Sequence, residues 1–168
     1  MPTTYEPIAT QTLASETTSI TFSSIASSYT DLRIVFVVFK PSATNVGGRI
    51  RFNSDTGSNY SYIWLVGSGT AASSGQGTST AELELFTGSA VTTTNPQLQI
   101  INIFSYAGST NKTVLWEESS DKNGSGGVSR NVGLWRNTSA ITNIQLSDSS
   151  GRNFGVGTTA TLYGIKNA

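Results

Sequence analysis

The chain has 168 residues, with ten Lys and Arg against ten Asp and Glu, and it contains neither His nor Cys. Only 12% of the residues are charged, well below the usual share of a soluble domain, so hydroxyl and amide groups supply most of the polarity. The absence of His and Cys excludes a Ser-His-Asp triad, a Cys nucleophile and an ordinary zinc site. The length predicts a single folded domain spanning residues 1–168.

Charge and hydropathy also bear on the partners. The balanced charge with no basic run predicts no nucleic-acid partner. The longest apolar run, Ile34 to Phe39, is far shorter than the ~20 residues that a transmembrane helix needs. We therefore expect no membrane partner.

Short segments of alternating polar and apolar residues predict β-strands, because successive strand side chains point to opposite faces. In chain order the predicted strands are Ile8–Leu13, Ser19–Ser23, Leu32–Phe39, Arg49–Phe52, Ser61–Val66, Glu82–Phe86, Gln97–Ile100 running on into Ile100–Phe104, Thr113–Glu117, Val128–Trp135, Asn143–Leu146 and Ala160–Ile165. Leu32–Phe39 and Ile100–Phe104 are predicted to be central strands that are buried on both faces. The other alternating segments are predicted to have one face in the core and one in solvent.

Clusters of Gly, Asn, Asp and Ser separate these segments and predict turns, since these residues adopt or stabilise turn conformations. The predicted turn clusters are Ser42–Gly48, Asn53–Asn59, Gly67–Ser79, Gly88–Pro96, Ala107–Asn111, Ser119–Gly127 and Ser147–Gly157. No window offers an apolar helical stripe. About eleven short strands predict an all-β, single-domain antiparallel β-sandwich, jelly-roll-like in architecture. The predicted core contains Ile34, Phe36, Ile50, Phe52, Leu83, Leu85, Ile144 and Leu146.

The segment Gly67–Ser79 is the one low-complexity stretch, built almost entirely of Gly, Ser, Thr and Ala. Such a composition predicts a mobile hairpin loop. The alternative is a surface loop that becomes ordered on a partner.

Glu82 and Glu84 are the carboxylates whose spacing suits acid-base chemistry. Two residues apart on one strand face, they are expected to lie ~7 Å apart, within the range that inverting glycosidases use. The alternative is a solvated strand face on which the acids keep a sheet edge soluble. The second interpretation is favoured because nothing in the sequence distinguishes the two carboxyl environments. We therefore predict no catalytic residue and no enzymatic activity.

The segment Asn53–Asn59 alternates oxygen-bearing side chains around a Gly and so has some features of a calcium loop. Only Asp55 is anionic there, and the bidentate Glu that closes an EF-hand is missing. A hairpin turn accounts for the same residues. We predict no metal ligand and no cofactor.

Four aromatic residues, Tyr60, Tyr62, Trp64 and Trp135, are candidates for contact with a ligand or a protein partner. Tyr and Trp rings stack on sugars and are enriched in protein interfaces. Core packing is the alternative use of a strand aromatic, and the sequence leaves both open.

Several stretches resemble small virion structural proteins of tailed bacteriophages. Those that resemble the opening of this family are Tyr5–Leu13, Ile20–Ile25 and Tyr29–Leu32, and those similar to its middle and C-terminal signatures are Arg51–Ser61 and Ala160–Lys166. The stretch Gly67–Pro96 has no match. The resemblance covers the two ends and the centre of the chain.

The resemblance implies a β-rich, often trimeric virion component with no catalytic residues to carry over. Such proteins occur as capsid cement or decoration proteins and as tail or fibre modules that bind receptors. A compact chain without heptad or collagen-like repeats favours the capsid role, with the capsid protein and copies of the chain itself, as a homotrimer, as partners. The alternative is a tail or fibre module that binds a host surface glycan through Tyr62, Trp64 or Trp135.

Overall fold

The computed structural model describes residues 4–40, 47–87, 92–148 and 150–166. These residues form twelve β-strands and no helix. The strands are β1 (Tyr5–Thr12), β2 (Ser19–Phe22), β3 (Asp31–Val38), β4 (Gly47–Phe52), β5 (Tyr60–Gly67), β6 (Ala72–Thr80), β7 (Leu83–Thr87), β8 (Gln97–Ile103), β9 (Lys112–Asp121), β10 (Gly126–Trp135), β11 (Ile144–Asp148) and β12 (Thr159–Ile165).

The strands form two antiparallel sheets with a shared apolar core. The larger sheet has eight strands in the order β1-β12-β3-β8-β9-β10-β5-β6, and the smaller has the order β2-β11-β4-β7. Strands far apart in the chain pair directly, as β1 does with β12 and β3 with β8. All eight predicted core residues are buried. The predicted all-β antiparallel sandwich is confirmed.

The prediction that β3 and β8 are central strands is confirmed, but the prediction that both faces of these strands are buried is wrong. β3 and β8 are neighbours inside the eight-stranded sheet. Leu32, Ile34 and Phe36 of β3 are fully buried, whereas Val35 and Val37 on the opposite side are half-buried. In the described residues no further layer covers that side, so neither central strand is buried on both faces.

The alternation in β8 is confirmed, but its phase is the reverse of the one that the apolar pattern predicts. Gln97 and Gln99 are fully buried, whereas Leu98 is 37% exposed. Ile101 and Ile103 pair with Ile34 and Leu32 of β3 and point into the core. Because side chains alternate along a strand, this register also turns both glutamines inward.

The predicted hairpin loop at Gly67–Ser79 is instead mostly strand. Ser68 N–H bonds to the carbonyl of Ala71 at 2.9 Å and closes a tight turn. The nine-residue β6 then pairs with β5 at the end of the large sheet. Backbone hydrogen bonds to β5 hold β6 in the sheet, and such bonds require no apolar side chain. The predicted turn cluster Ser42–Gly48 lies largely outside the described residues. Of the cluster Gly88–Pro96, residues 92–96 are described and belong to no strand.

Candidate binding surface

Two of the four candidate aromatics, Tyr60 and Trp135, lie in the core. They are register partners on β5 and β10, and both are fully buried. Their rings stack with centroids 6.2 Å apart and planes 18° apart. The Tyr60 hydroxyl accepts a 3.0 Å hydrogen bond from the backbone N–H of Phe52, and burial raises the pKa of Tyr60 to about 12. Both rings are used in core packing, which favours the core-packing alternative for these two residues.

Tyr62 and Trp64 are half-buried because their rings lie over the two glycines of β6. A Cβ added at Gly77 would lie 2.5 Å from the Tyr62 ring, and one added at Gly75 would lie 2.4 Å from the Trp64 ring. The Tyr62 hydroxyl donates a 2.7 Å hydrogen bond to Glu84 Oε2. Burial and this bond raise the pKa of Tyr62 to about 12. Both rings hold β6 to β5, and their contact with a ligand or partner stays a prediction.

The carboxylates of Glu82 and Glu84 form an ion network with two arginines of β4. Arg51 Nη2 lies 2.8 Å from Glu82 Oε2. Arg49 contacts both acids, at 3.4 Å to Glu82 Oε1 and 3.2 Å to Glu84 Oε1. Both carboxylates are thus ion-paired to arginine, and Arg49 is shared between them. The two acids lie on one side as predicted, but they are paired rather than solvated.

Asp55 organises the turn in Asn53–Asn59. Its carboxylate accepts hydrogen bonds from Gly57 N at 2.9 Å, from Asn59 Nδ2 at 2.9 Å and from Trp135 Nε1 at 2.7 Å. Although partial burial acts in the opposite direction, these bonds hold the pKa of Asp55 below its ordinary value. Both carboxylate oxygens have protein donors. In the described ranges no three His, Cys, Asp or Glu side chains come together as metal ligands.

A polar cluster that the sequence reasoning missed lies on the core side of β8, β9 and β10. Glu118 is the register partner of Gln99 on one side and of Ser129 on the other. The Gln97 amide donates a hydrogen bond to Glu118, and the Ser129 hydroxyl donates another at 3.3 Å. Burial raises the pKa of Glu118 to about 7, and its hydrogen bonds offset part of that effect.

This cluster also contains unpaired polar atoms. The buried side-chain atoms without a hydrogen-bond partner in the described chain are Gln97 Oε1, both amide atoms of Gln99, and Ser120 Oγ. Unpaired buried polar groups destabilise a fold. The sequence shows two glutamines alternating with apolar residues in this strand, but it does not show which of the two sets faces the core.

The side of the eight-stranded sheet that faces away from the small sheet, here called the outer face, carries several exposed apolar side chains. Its most exposed apolar side chains are Val128 at 62%, Ile63 at 57% and Leu65 at 56%. Other exposed apolar residues of this sheet and its borders are Leu98, Phe104 and Val132. Exposed apolar side chains that lie together on a surface are typical of binding sites.

The outer face is continuous across strands. Ile63 pairs with Val132 across β5 and β10. Arg130 and Glu117 form an exposed 2.9 Å ion pair among the apolar residues, so the two charges balance. A shallow groove of about 310 Å³ follows β5, β6 and β10. Its lining on this side includes Ile63, Gln76, Thr113, Val132 and Leu134. The geometry suits an extended apolar protein surface better than a small polar ligand.

Comparison with known proteins gives no assignment: no protein-family model and no curated protein matches the chain. Within the described residues, no helix is long and apolar enough to cross a membrane.

Proposed function

We propose that this protein is a virion structural protein of a tailed bacteriophage and serves as a capsid cement or decoration protein. The outer face is the observation that carries the proposal. Ile63, Leu65 and Val128 expose apolar area on a sheet that is otherwise well packed, and covering that area with a protein partner removes it from water. In this role the outer face binds the capsid shell, and copies of the chain associate with one another.

Binding rather than catalysis is the role that the charged groups favour. Glu82 and Glu84 are the acid pair that would suit polysaccharide hydrolysis, and both form ion pairs with arginines of β4. The sequence contains neither His nor Cys. We propose that the protein catalyses no reaction and requires no cofactor.

The alternative role, a tail or fibre module that binds a host glycan, has less support. Of the three aromatic residues proposed to bind the glycan, Trp135 is buried in the core. Tyr62 packs its ring over Gly77 and donates its hydroxyl hydrogen bond to Glu84. Trp64 is half-buried, with its ring over Gly75. A sugar platform needs a ring face that is open to solvent, and this requirement disfavours the glycan role.

Copy number in the particle separates the two roles. Quantitative mass spectrometry of purified virions should give this chain in numbers comparable to the major capsid protein. Numbers comparable to the tail proteins, or antibody labelling confined to tails in micrographs, would contradict the capsid role.

A binding experiment tests the outer face directly. Capsids that lack the protein are incubated with the purified wild-type chain, with Leu65→Lys, or with Ser109→Lys as a control at an exposed position in the β8–β9 loop. We expect Leu65→Lys to bind at least tenfold more weakly, because a charge is then buried against an apolar partner. Ser109→Lys should bind like wild type. Equal binding of all three proteins would contradict the role of the outer face.

A further inference from the structure

The strands at the edges of the two sheets differ in their protection against pairing with another chain. β1 carries Glu6 and Pro7 and has a bulge after the proline. β7 has only five residues and carries Glu84. β2 has four residues, and the Gln11 amide donates a 2.7 Å hydrogen bond to its Thr21 carbonyl. Charges, proline, bulges, short length and covered backbone groups are the features that block edge pairing in natural sheets.

The fourth edge strand, β6, lacks a charge and a proline over its nine residues. From Ala72 to Gly77 it pairs in regular register with β5, and the register shift lies beyond Gly77. Because β6 ends the sheet, one row of its backbone N–H and C=O groups meets no neighbouring strand in the described chain. A regular, uncharged edge of this kind is a template for a further strand.

We propose that two copies of this chain pair through β6, antiparallel and about a two-fold axis. A two-fold axis sets β6 against itself, so any charge near the axis would face the same charge in the second copy, and like charges on opposing strands are destabilising. β6 has no such charge. Its longest side chain, the exposed Gln76, is an amide that both donates and accepts and is therefore complementary to itself. These properties favour a second copy of this chain over a different partner strand that carries a charge.

This pairing has a consequence for the outer face. In an antiparallel pair about an axis perpendicular to the sheet, the corresponding faces of the two sheets lie on the same side. Ile63 and Leu65 of both copies would then lie on the same side of the joint sheet, separated by the exposed Ser74 and Gln76 of the two β6 strands. Pairing needs only the chain itself and does not depend on the proposed capsid role. It yields an even number of copies, in contrast to the trimer that the family resemblance implies.

Sedimentation equilibrium of the full chain tests the proposal. We expect wild type to be dimeric at micromolar concentration. Ser74 and Gln76 are exposed, polar outer-face positions in the regular part of β6. The double variant Ser74→Lys, Gln76→Lys and the double variant Ser74→Glu, Gln76→Glu should each dimerise at least tenfold more weakly. An equimolar mixture of the two variants should recover the dimer, because opposite charges then face each other.

The control is Ser119→Lys, an exposed substitution on the outer face of β9, away from the edge. Under edge pairing it stays dimeric, and circular dichroism verifies that each variant is folded. The proposal is overturned by a monomeric or trimeric wild type, by loss of the dimer in Ser119→Lys, which would indicate face-to-face stacking, or by failure of the mixture to recover the dimer.

Discussion

The indole Nε1 of Trp135 donates a 2.7 Å hydrogen bond to Oδ2 of Asp55. Trp135 ends β10, and Asp55 lies in the turn that joins β4 to β5. The bond links the polar atom of a fully buried ring to a carboxylate at the rim of the core. The carboxylate that gave this turn some features of a calcium loop thus accepts a hydrogen bond from a core side chain.

Replacing Asp55 by Ala should lower the free energy of unfolding by about 2 kcal/mol, because the buried indole N–H then has no acceptor. Asp55→Asn should cost less, since it keeps an oxygen acceptor. Urea unfolding measures both variants. The control is Asp121→Asn, which changes an exposed turn carboxylate that bonds to Gly124 N. An unchanged unfolding midpoint for Asp55→Ala would show that the bond contributes nothing.

Period-two alternation predicted most of the strands, because a strand with one buried face requires that period. All eight core residues predicted from it are buried. It did not predict the phase of β8, where the two glutamines lie inward and Leu98 outward. The phase is set by cross-strand register with β3, a tertiary constraint that a single strand does not encode.

The strand β6 was missed for a different reason. Its Gly and Ala residues are disfavoured in strands and its sequence has no apolar period, so composition predicts a loop. The strand depends on Trp64 and Tyr62 of β5, whose rings fill the space that side chains at Gly75 and Gly77 would need. The outer face was also missed, since exposed and core apolar residues look alike in a sequence.

Gly75→Ala should therefore destabilise the protein by about 1–3 kcal/mol, because the new methyl group collides with the Trp64 ring. In a Trp64→Ala background the same substitution should cost much less, so that the double-mutant cycle is strongly non-additive. Thermal unfolding measures the four proteins. Ser74→Ala, an exposed position of the same strand, should change the midpoint little. Equal costs of Gly75→Ala in both backgrounds would rule out the ring contact as the cause.

The ion network of Glu82 and Glu84 predicts the absence of hydrolytic activity. Purified protein incubated with host surface polysaccharide should release no new reducing ends, because Arg49 contacts both carboxylates and Arg51 contacts Glu82, so that neither carboxylate is unpaired. A colorimetric assay of reducing ends measures this, with a known depolymerase as the positive control. Release that disappears in Glu82→Gln or Glu84→Gln would establish an active site there.

Glu118 should make stability depend on pH on the alkaline side of its ordinary pKa. Burial raises its pKa in the folded chain from 4.5 to about 7, so between these values the folded state holds a proton that the unfolded state has released. Stability contributed by Glu118 is therefore highest below pH 4.5, falls as the pH rises through 7 and is level above it. The total loss is on the order of 3 kcal/mol.

Asp55 and Asp148 act in the opposite direction. Partial burial opposes the shift, but the hydrogen bonds from Trp135 to Asp55 and the Arg152 guanidinium beside Asp148 lower the pKa of each carboxyl. Their stabilisation is present above the unfolded pKa and is lost as the pH falls through the folded value.

The difference in stability between wild type and Glu118→Gln isolates the contribution of Glu118 from that of Asp55 and Asp148. Urea midpoints measured from pH 4 to pH 8 should give a Glu118→Gln variant that gains on wild type as the pH rises. A Glu118→Gln profile parallel to wild type would mean that this carboxyl titrates alike in the folded and unfolded chains.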